Sequence, residues 1–261
     1  MWSTATTASP RTPGRPARPT PTGWNSSGPC DGGLLAPLGF DVADTAAASD
    51  AVRTAEKHFG GIDILVNNAG HMLTGAVEEV TEEHTRAQMD VNFFGTLWTT
   101  RAVLPGMRER GGGRIMQVSS FGGLMAFPTM GLYQASKRAL EAMSQSLAAE
   151  DAGHGIHVTL IEPLMFPTGL AAASPRSRQD PAYAPVREAL EAGMRSSDFR
   201  PGDPAATAAA LLALADTPEP PLRVLFGAGG LPVLRAEYED RLAALEEWDH
   251  LSRLAQGSRA A

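Results

Sequence analysis

A tyrosine and a lysine stand four residues apart, as Tyr133 and Lys137, and Ser120 precedes the tyrosine by thirteen residues. Residues i and i+4 of a helix share a face, so the ammonium of Lys137 can lie close to the phenol of Tyr133. A nearby cation favours the phenolate and lowers the tyrosine pKa from its usual value near 10. The pattern therefore predicts Tyr133 as a general acid or base, with Ser120 holding the same substrate oxygen.

The alternative is an ordinary amphipathic helix, with Tyr133 half buried and Lys137 in solvent. The composition argues against it, because only Lys57 and Lys137 are lysines among the 22 basic residues. The chain thus uses arginine wherever a plain positive charge suffices. A lysine retained at position 137 indicates that an arginine would not serve there.

Apolar runs and helical patterns alternate along the chain and predict the elements that position these residues. Strands are predicted over 34–40, 62–66, 115–118, 156–161 and 223–226. Helices are predicted over 45–59, 82–110, 132–149, 184–195, 204–215 and 233–255, the first capped by Asp44. This alternation predicts an α/β fold, a Rossmann-like parallel sheet with helices on both faces.

Parallel sheets bind ligands at the carboxyl ends of their strands, and chemically useful residues follow three of the predicted strands. They are Asn67-Asn68-Ala69-Gly70 after 62–66, Ser119 and Ser120 after 115–118, and Glu162 and Pro163 after 156–161. Asn92 lies between apolar flanks on the 82–110 helix. Each has a structural alternative: the two asparagines can form a turn, and Asn92 can bond to backbone.

Taken in order and spacing, these residues resemble the short-chain dehydrogenases/reductases over about residues 34–250. Among them the chain is similar to members of the 17-beta-hydroxysteroid dehydrogenase or retinol dehydrogenase type. The resemblance implies an NAD- or NADP-dependent oxidoreductase on a Rossmann-type domain. Such an enzyme interconverts a carbonyl and a primary or secondary alcohol on an apolar substrate by hydride transfer.

The resemblance also implies a role for each residue. Tyr133 would donate or accept the proton, Ser120 would orient the substrate oxygen, and Asn92 would hold a water in a proton relay. Lys137 would bind the nicotinamide ribose and tune Tyr133. The implied cofactor-binding residues are Asp41, Asn67, Ala69, Gly70, Tyr133, Lys137, Pro163 and Thr168. Asp41 can equally be the plain end of a strand.

Two features depart from the family pattern. Residues 1–33 hold six prolines and no Val, Ile, Leu or Phe, so we predict a disordered, non-core segment in place of the first βαβ unit. The family's Gly-x-x-x-Gly-x-Gly motif, which cradles the cofactor pyrophosphate, is missing or replaced. Leu164 stands where the family usually has glycine and would crowd the nicotinamide.

We therefore expect residues 34–261 to form an incomplete single domain, with a substrate-side loop and helix over 163–200. The alternative function is a catalytically inactive relic that acts only as a dimerising or interaction protein, because the pyrophosphate site is missing. A measurement of cofactor binding distinguishes the active oxidoreductase from the inactive relic. Apolar substrate contacts are predicted from four residues that are equally compatible with ordinary core, Met125, Phe127, Met165 and Phe166.

Charge and composition exclude several other classes. The net charge is −7, with no basic stripe, so nucleic-acid binding is not expected. The sequence contains no run of 18 or more apolar residues, so no membrane-spanning helix is predicted. The single cysteine and the spacing of the six histidines offer no metal site. We expect a cytoplasmic protein that forms a homodimer or homotetramer through helices 82–110 and 132–149.

Overall fold

The computed structural model describes residues 2–4, 35–170, 176–196 and 200–257. The segment predicted to be disordered, residues 1–33, falls almost wholly outside these ranges. The exception is a short strand at Trp2–Thr4, which differs from that prediction because it pairs with the edge of the sheet.

Within the described residues, five parallel strands form the sheet, in the order of the sequence. They are β1 (Trp2–Thr4), β2 (Ile64–Asn67), β3 (Gly113–Val118), β4 (Ile156–Pro163) and β5 (Arg223–Phe226). Asn67 at the end of β2 is paired with Gln117, and Pro163 at the end of β4 with Phe226. Because every pair is parallel, the carboxyl ends of the strands meet at one edge, as the sequence predicts.

Helices connect the strands and cover both faces of the sheet. They are α1 (Thr45–Phe59), α2 (Glu82–Met89), α3 (Thr96–Arg110), α4 (Gly131–Asp151), α5 (Ala184–Ser196), α6 (Thr207–Asp216), α7 (Gly230–Glu247) and α8 (Asp249–Gln256). A π-helical turn, Asp90–Gly95, joins α2 to α3 where the sequence predicts one continuous helix. The helix predicted over 233–255 is likewise divided, at Trp248.

The core has two layers, one on each face of the sheet. On the first face, α1, α3 and α4 pack on the strands through residues that include Val52, Val103, Met107, Ile115 and Leu147. On the second face, α6 packs on the strands through residues that include Val66, Met116, Ile161, Leu214 and Phe226. A sheet covered on both faces confirms the predicted fold class.

The strand predicted over 34–40 is not formed. Residues 35–40 carry no strand, because Pro37 has no N–H to donate to a ladder and no described strand lies beside this run. Asp41, which follows it, closes a turn by accepting the Ala43 N–H on Oδ1 at 3.0 Å. Asp44 then caps α1 as predicted, accepting from the N–H groups of Ala46 and Ala47.

The segment beyond β4 folds back over the turn that precedes α2. Glu79 in that turn has a side chain only 2% exposed and pairs with Arg187 of α5 at 2.8 Å. The same carboxylate accepts the backbone N–H of Asp180 at 2.6 Å. These bonds hold part of the 163–200 segment above the loop that leaves β2.

Within the described ranges, no helix has the length and apolarity needed to cross a bilayer.

Candidate active site

Three chain segments converge at the carboxyl edge of the sheet. Ser120 follows β3, while Tyr133 and Lys137 lie in the first two turns of α4. The Ser119 N–H donates to the Ile161 carbonyl at 2.8 Å. This bond attaches the residues that follow β3 to strand β4. Ser120 then caps a short turn, its Oγ accepting the Gly122 N–H at 3.0 Å.

The structure brings Ser120, Tyr133 and Lys137 together. Tyr133 is 6% exposed, and the Ser120 side chain lies near enough to its hydroxyl to lower the tyrosine pKa. The Lys137 Nζ lies 6.0 Å from the centroid of the Tyr133 ring. The helical spacing places the amine and the phenol on one face of α4, and the end of β3 brings the serine side chain beside the phenol.

The pKa of Tyr133 differs from the expectation. Burial raises the tyrosine pKa, and the nearby Ser120 side chain offsets this only in part. Lys137 does not lower the tyrosine pKa as the sequence predicts; its ammonium donates to the Val118 carbonyl at 2.8 Å. At neutral pH Tyr133 is consequently a neutral phenol, which is the form that can donate a proton.

Lys137 is held away from water by the same packing. Its side chain is buried, and burial lowers its pKa to about 8, an effect that the carboxylate of Glu141 opposes. The lysine is thus still mainly protonated at neutral pH. The alternative of a lysine projecting into solvent is excluded.

Asn92 is fully buried and its amide is occupied by protein partners. The Oδ1 accepts the His71 N–H at 3.0 Å, and the Nδ2 donates to the His71 carbonyl at 3.0 Å. The Nδ2 also donates to Ser136 Oγ at 3.1 Å. The side chain therefore ties the loop after β2 to α4, which is the structural alternative considered for this residue.

Replacing Asn92 by alanine should destabilise the fold by about 1–3 kcal/mol, because it leaves a buried His71 backbone group without a partner. Thermal unfolding measures the loss, at about 2–4 °C for each kcal/mol in a chain of this size. The matched control is Asn68→Ala, since Asn68 is exposed in the same loop. Equal stability of the two variants would contradict this account of Asn92.

Asn67 lies in a second buried network beneath the loop. Its Nδ2 donates to Gln117 Oε1 at 2.8 Å and to Thr100 Oγ1 at 3.0 Å. Its Oδ1 accepts from Thr99 at 2.7 Å. The side chain thus anchors the end of β2 to β3 and α3, and it positions Ala69 and Gly70 through the backbone.

The remaining predicted cofactor residues differ in their exposure. Pro163 is half-buried at the end of β4, and Thr168 is exposed beyond it. Asp41 is half-buried in the turn before α1. Leu164 packs on the start of α7, where a Cβ added to Gly230 would lie 2.8 Å from the leucine Cδ2.

The four apolar residues considered for the substrate separate into two groups. Met125 is buried and Phe127 is half-buried, both between Ser120 and α4. Phe166 instead packs on the α6 face of the sheet, and Met165 is 41% exposed. The sequence gives no sign of this division, because all four are apolar residues near a strand end.

Two residues of the site are not predicted from the sequence. Ser136 donates to the Tyr133 carbonyl at 2.6 Å and accepts from Asn92, and it stands inside the Tyr133–Lys137 segment. Glu141 lies one helical turn beyond Lys137. The four-residue spacing that relates Lys137 to Tyr133 also relates Glu141 to Lys137, so the sequence contains a signal for Glu141.

Comparisons with known proteins identify the family. The short chain dehydrogenase family profile matches residues 28–179. The chain is also 34% identical to oxidoreductase BOA17 of Botryotinia fuckeliana over 218 residues, which is 83% of this chain and 80% of the relative. This chain belongs to the short-chain dehydrogenase/reductase family.

Solved structures of short-chain dehydrogenases share the fold. A short-chain dehydrogenase from Streptomyces avermitilis superposes with a TM-score of 0.74 at 38% identity, covering 84% of this chain and 80% of that one. A gluconate 5-dehydrogenase from Burkholderia cenocepacia, solved with NADP and tartrate, superposes with a TM-score of 0.60 at 27% identity, covering 74% of each chain. The predicted family, fold and enzyme class are confirmed, and the family is one of NAD(P)-dependent oxidoreductases.

The residues present fit the nicotinamide half of such a cofactor. Gly70 packs closely against the site, because a Cβ there would lie 3.2 Å from Asn92 Oδ1 and 3.7 Å from Lys137 Nζ. Glycine at position 70 therefore keeps a side chain away from the ammonium of Lys137, which would hold the nicotinamide ribose.

Proposed function

We propose that this short-chain dehydrogenase reduces an aldehyde or ketone to the alcohol with NADPH or NADH, and catalyses the reverse oxidation. The observation that carries the proposal is the contact of Tyr133 with Ser120, beside the buried ammonium of Lys137. Tyr133 and Ser120 would both touch the reacting oxygen. Lys137 would hold the nicotinamide ribose and keep a positive charge near the phenol.

The cofactor, when bound, supplies or accepts the hydride at the carbonyl carbon. Tyr133 supplies the proton to the carbonyl oxygen during reduction, because its raised pKa keeps the hydroxyl protonated at neutral pH. Ser120 donates a hydrogen bond to the same oxygen and fixes its position next to the phenol. Oxidation needs the phenolate instead, so alkaline pH should favour that direction.

Cofactor contacts are proposed for the residues along the carboxyl edge. Gly70 and Ala69 would contact the central part of the cofactor through backbone, with Asn67 holding them in place. Pro163 and Thr168 would border the nicotinamide carboxamide, and Asp41 would lie near the adenine ring. The Leu164 side chain packs on Gly230, so its Cδ2 is directed to α7.

The substrate is proposed to be apolar next to its carbonyl. Met125 and Phe127 belong to the chain segment that connects Ser120 to α4. The centroid of the Phe127 ring lies 6.4 Å from that of the Phe121 ring. These side chains would contact a hydrocarbon part of the substrate. The alternative of an inactive relic is not favoured, because the chain retains the tyrosine, lysine and serine together and its relatives are oxidoreductases.

Cofactor titration and turnover test the proposal. NADPH and NADH fluorescence should change saturably on binding, and an apolar aldehyde or ketone should then cause oxidation of the reduced cofactor. An aliphatic carboxylate of the same length serves as the control compound. Absence of saturable binding at millimolar NADPH and NADH would overturn the proposal and return the relic as the better description.

We further propose a cytoplasmic homodimer or homotetramer, assembled through residues 82–110, which comprise α2, the π-helical turn and α3, and through α4. Phe94 is 37% exposed and stacks on Trp98, with the ring centroids 5.8 Å apart. The guanidinium of Arg101 lies over the same indole at 5.6 Å. Light scattering should give a multiple of the 27.5 kDa chain mass, and a monomer at micromolar concentration would contradict it.

A further inference from the structure

Two buried carboxylates and one arginine lie behind the site, where the proposed reaction does not use them. Glu141 on α4 is 6% exposed, and Glu162 at the end of β4 is 2% exposed. Arg223 at the start of β5 faces both. Its Nε lies 3.1 Å from Glu141 Oε2 and 3.6 Å from Glu162 Oε1.

Glu141 continues the face of α4 that carries the site. Tyr133, Lys137 and Glu141 follow one another at intervals of four residues, so the carboxylate lies one turn below the ammonium. Its negative charge opposes the effect of burial on the Lys137 pKa. Around Lys137 the titratable groups are thus Tyr133 and Glu141 from α4, and His71 from the loop after β2.

His71 adds no positive charge to the environment of Lys137. Its side chain is 7% exposed, and burial together with Lys137 and His84 lowers its pKa. A neutral imidazole at physiological pH leaves Glu141 as the group that balances the buried ammonium.

One arginine cannot neutralise two buried carboxylates. Burial and the neighbouring Glu141 raise the pKa of Glu162 to about 8, and Arg223 lowers it only in part. Glu162 is therefore mainly protonated at neutral pH. Arg223 makes its hydrogen bond with Glu141 and a second one with Gln145 at 3.0 Å.

The second oxygen of Glu141 remains available. Within the described residues, Oε1 of Glu141 has no hydrogen-bond partner, and neither has the nearby Ser119 Oγ. Gly123 packs closely against both oxygens, because a Cβ there would lie 3.3 Å from Glu141 Oε1 and 2.8 Å from Ser119 Oγ. Arg223 thus holds the carboxylate by one oxygen and leaves the other uncommitted behind Lys137.

We propose that Glu141 is a positioning residue that acts through Lys137, one helical turn away, and keeps the ammonium beside Tyr133 charged. A proton held on Glu162 leaves Arg223 paired with Glu141. The inference rests on the proposed function, since Lys137 acts there on the phenol and the cofactor ribose. Glu162 and Arg223 contribute indirectly, by fixing the charge and position of Glu141.

The test is the pH profile of kcat in Glu141→Gln. Loss of the carboxylate should move the high-pH limb to lower pH by about 1 unit, because a neighbouring opposite charge supports a cation by that order. Glu141→Asp, which keeps the charge, should restore most of the shift. The matched control is Glu150→Gln, since Glu150 is exposed on the same helix and its loss should leave the limb in place.

Glu162→Gln separates the two carboxylates. An amide resembles the protonated acid, so this variant should move the limb less than Glu141→Gln does. A shift in Glu162→Gln equal to or larger than that in Glu141→Gln would overturn the assignment. An unmoved limb in a folded Glu141→Gln would overturn it as well.

Infrared spectroscopy of the cofactor-free chain gives a second readout that needs no turnover. The protein should show the carbonyl stretch of a buried protonated carboxyl at neutral pH, and Glu162→Gln should lose it. In Glu141→Gln the band should titrate away at lower pH, because Arg223 then pairs with Glu162 alone. A chain without this band at neutral pH contradicts the proton on Glu162.

The two readouts distinguish failure of this inference from failure of the proposed function. If wild-type protein reduces no carbonyl, the proposed function fails and the positioning role fails with it, even where the infrared titration shows the proton on Glu162. If Tyr133 is required for turnover but the Glu141→Gln limb does not move, the function stands and the positioning role is wrong. Should Glu141→Gln fail to fold, the Glu141→Asp profile still decides, since the retained charge predicts a limb near the wild-type position.

Discussion

Replacing Tyr133 by phenylalanine is expected to lower kcat by about 10²–10⁴-fold or more, the range that a general acid contributes. The variant removes one hydroxyl from a residue that is 6% exposed, so it leaves the packing of α4 intact. Reduction loses its proton donor, while the groups proposed to hold the cofactor remain. NADPH affinity, measured by fluorescence, should therefore change little.

A matched control is available because the chain contains three tyrosines. Tyr238 is 41% exposed on α7, away from the site segments, so Tyr238→Phe makes the same chemical change there. It should retain wild-type turnover. If Tyr133→Phe kept more than a tenth of the wild-type kcat, Tyr133 would not be the proton donor.

Ser120 shows how the fold supports this chemistry. The serine has an extended backbone at the end of β3 and caps the turn that follows, its hydroxyl accepting the Gly122 N–H. Ser119 next to it is bonded to β4 through its N–H. The sheet thus sets the distance between the serine and the phenol, and neither residue depends on a mobile loop for its position.

Much of this arrangement could be predicted from residue spacing. The four-residue step from Tyr133 to Lys137 specifies a shared helix face, and parallel strands bring Asn67, Ser120 and Pro163 to one edge. Both are local rules with a fixed geometry. The sequence alone therefore predicts the elements and the proximity of the site residues.

What could not be predicted depends on packing between distant segments. The rise in the Tyr133 pKa comes from burial, which spacing along a helix does not reveal. Asn92 bonds to His71 and Ser136, residues brought close only by the π-helical turn and the loop after β2. The strand predicted over 34–40 fails because a strand needs a neighbour, a condition that lies outside its own residues.

Replacing Lys137 by arginine should also nearly abolish turnover, by about 10²-fold or more. Lys137 is 6% exposed, and its Nζ donates to the Val118 carbonyl at 2.8 Å. A guanidinium is planar and larger than an ammonium, so it cannot occupy this buried position next to Tyr133 without displacing α4. Steady-state kinetics should show a fall in kcat and weaker NADPH binding together.

The other lysine of the chain supplies the control. Lys57 is exposed near the end of α1, and Lys57→Arg should leave kcat and NADPH affinity unchanged. The pH profile distinguishes a requirement for the positive charge at position 137 from a requirement for the shape of the lysine side chain. The Lys137 pKa of about 8 predicts that wild-type turnover falls as the pH rises through that value. Arginine stays protonated throughout, so an active Lys137→Arg enzyme without the high-pH fall would show that charge alone is required. A low, pH-independent turnover is the expected result, since the site needs a compact cation that fits between Val118, Tyr133 and Gly70.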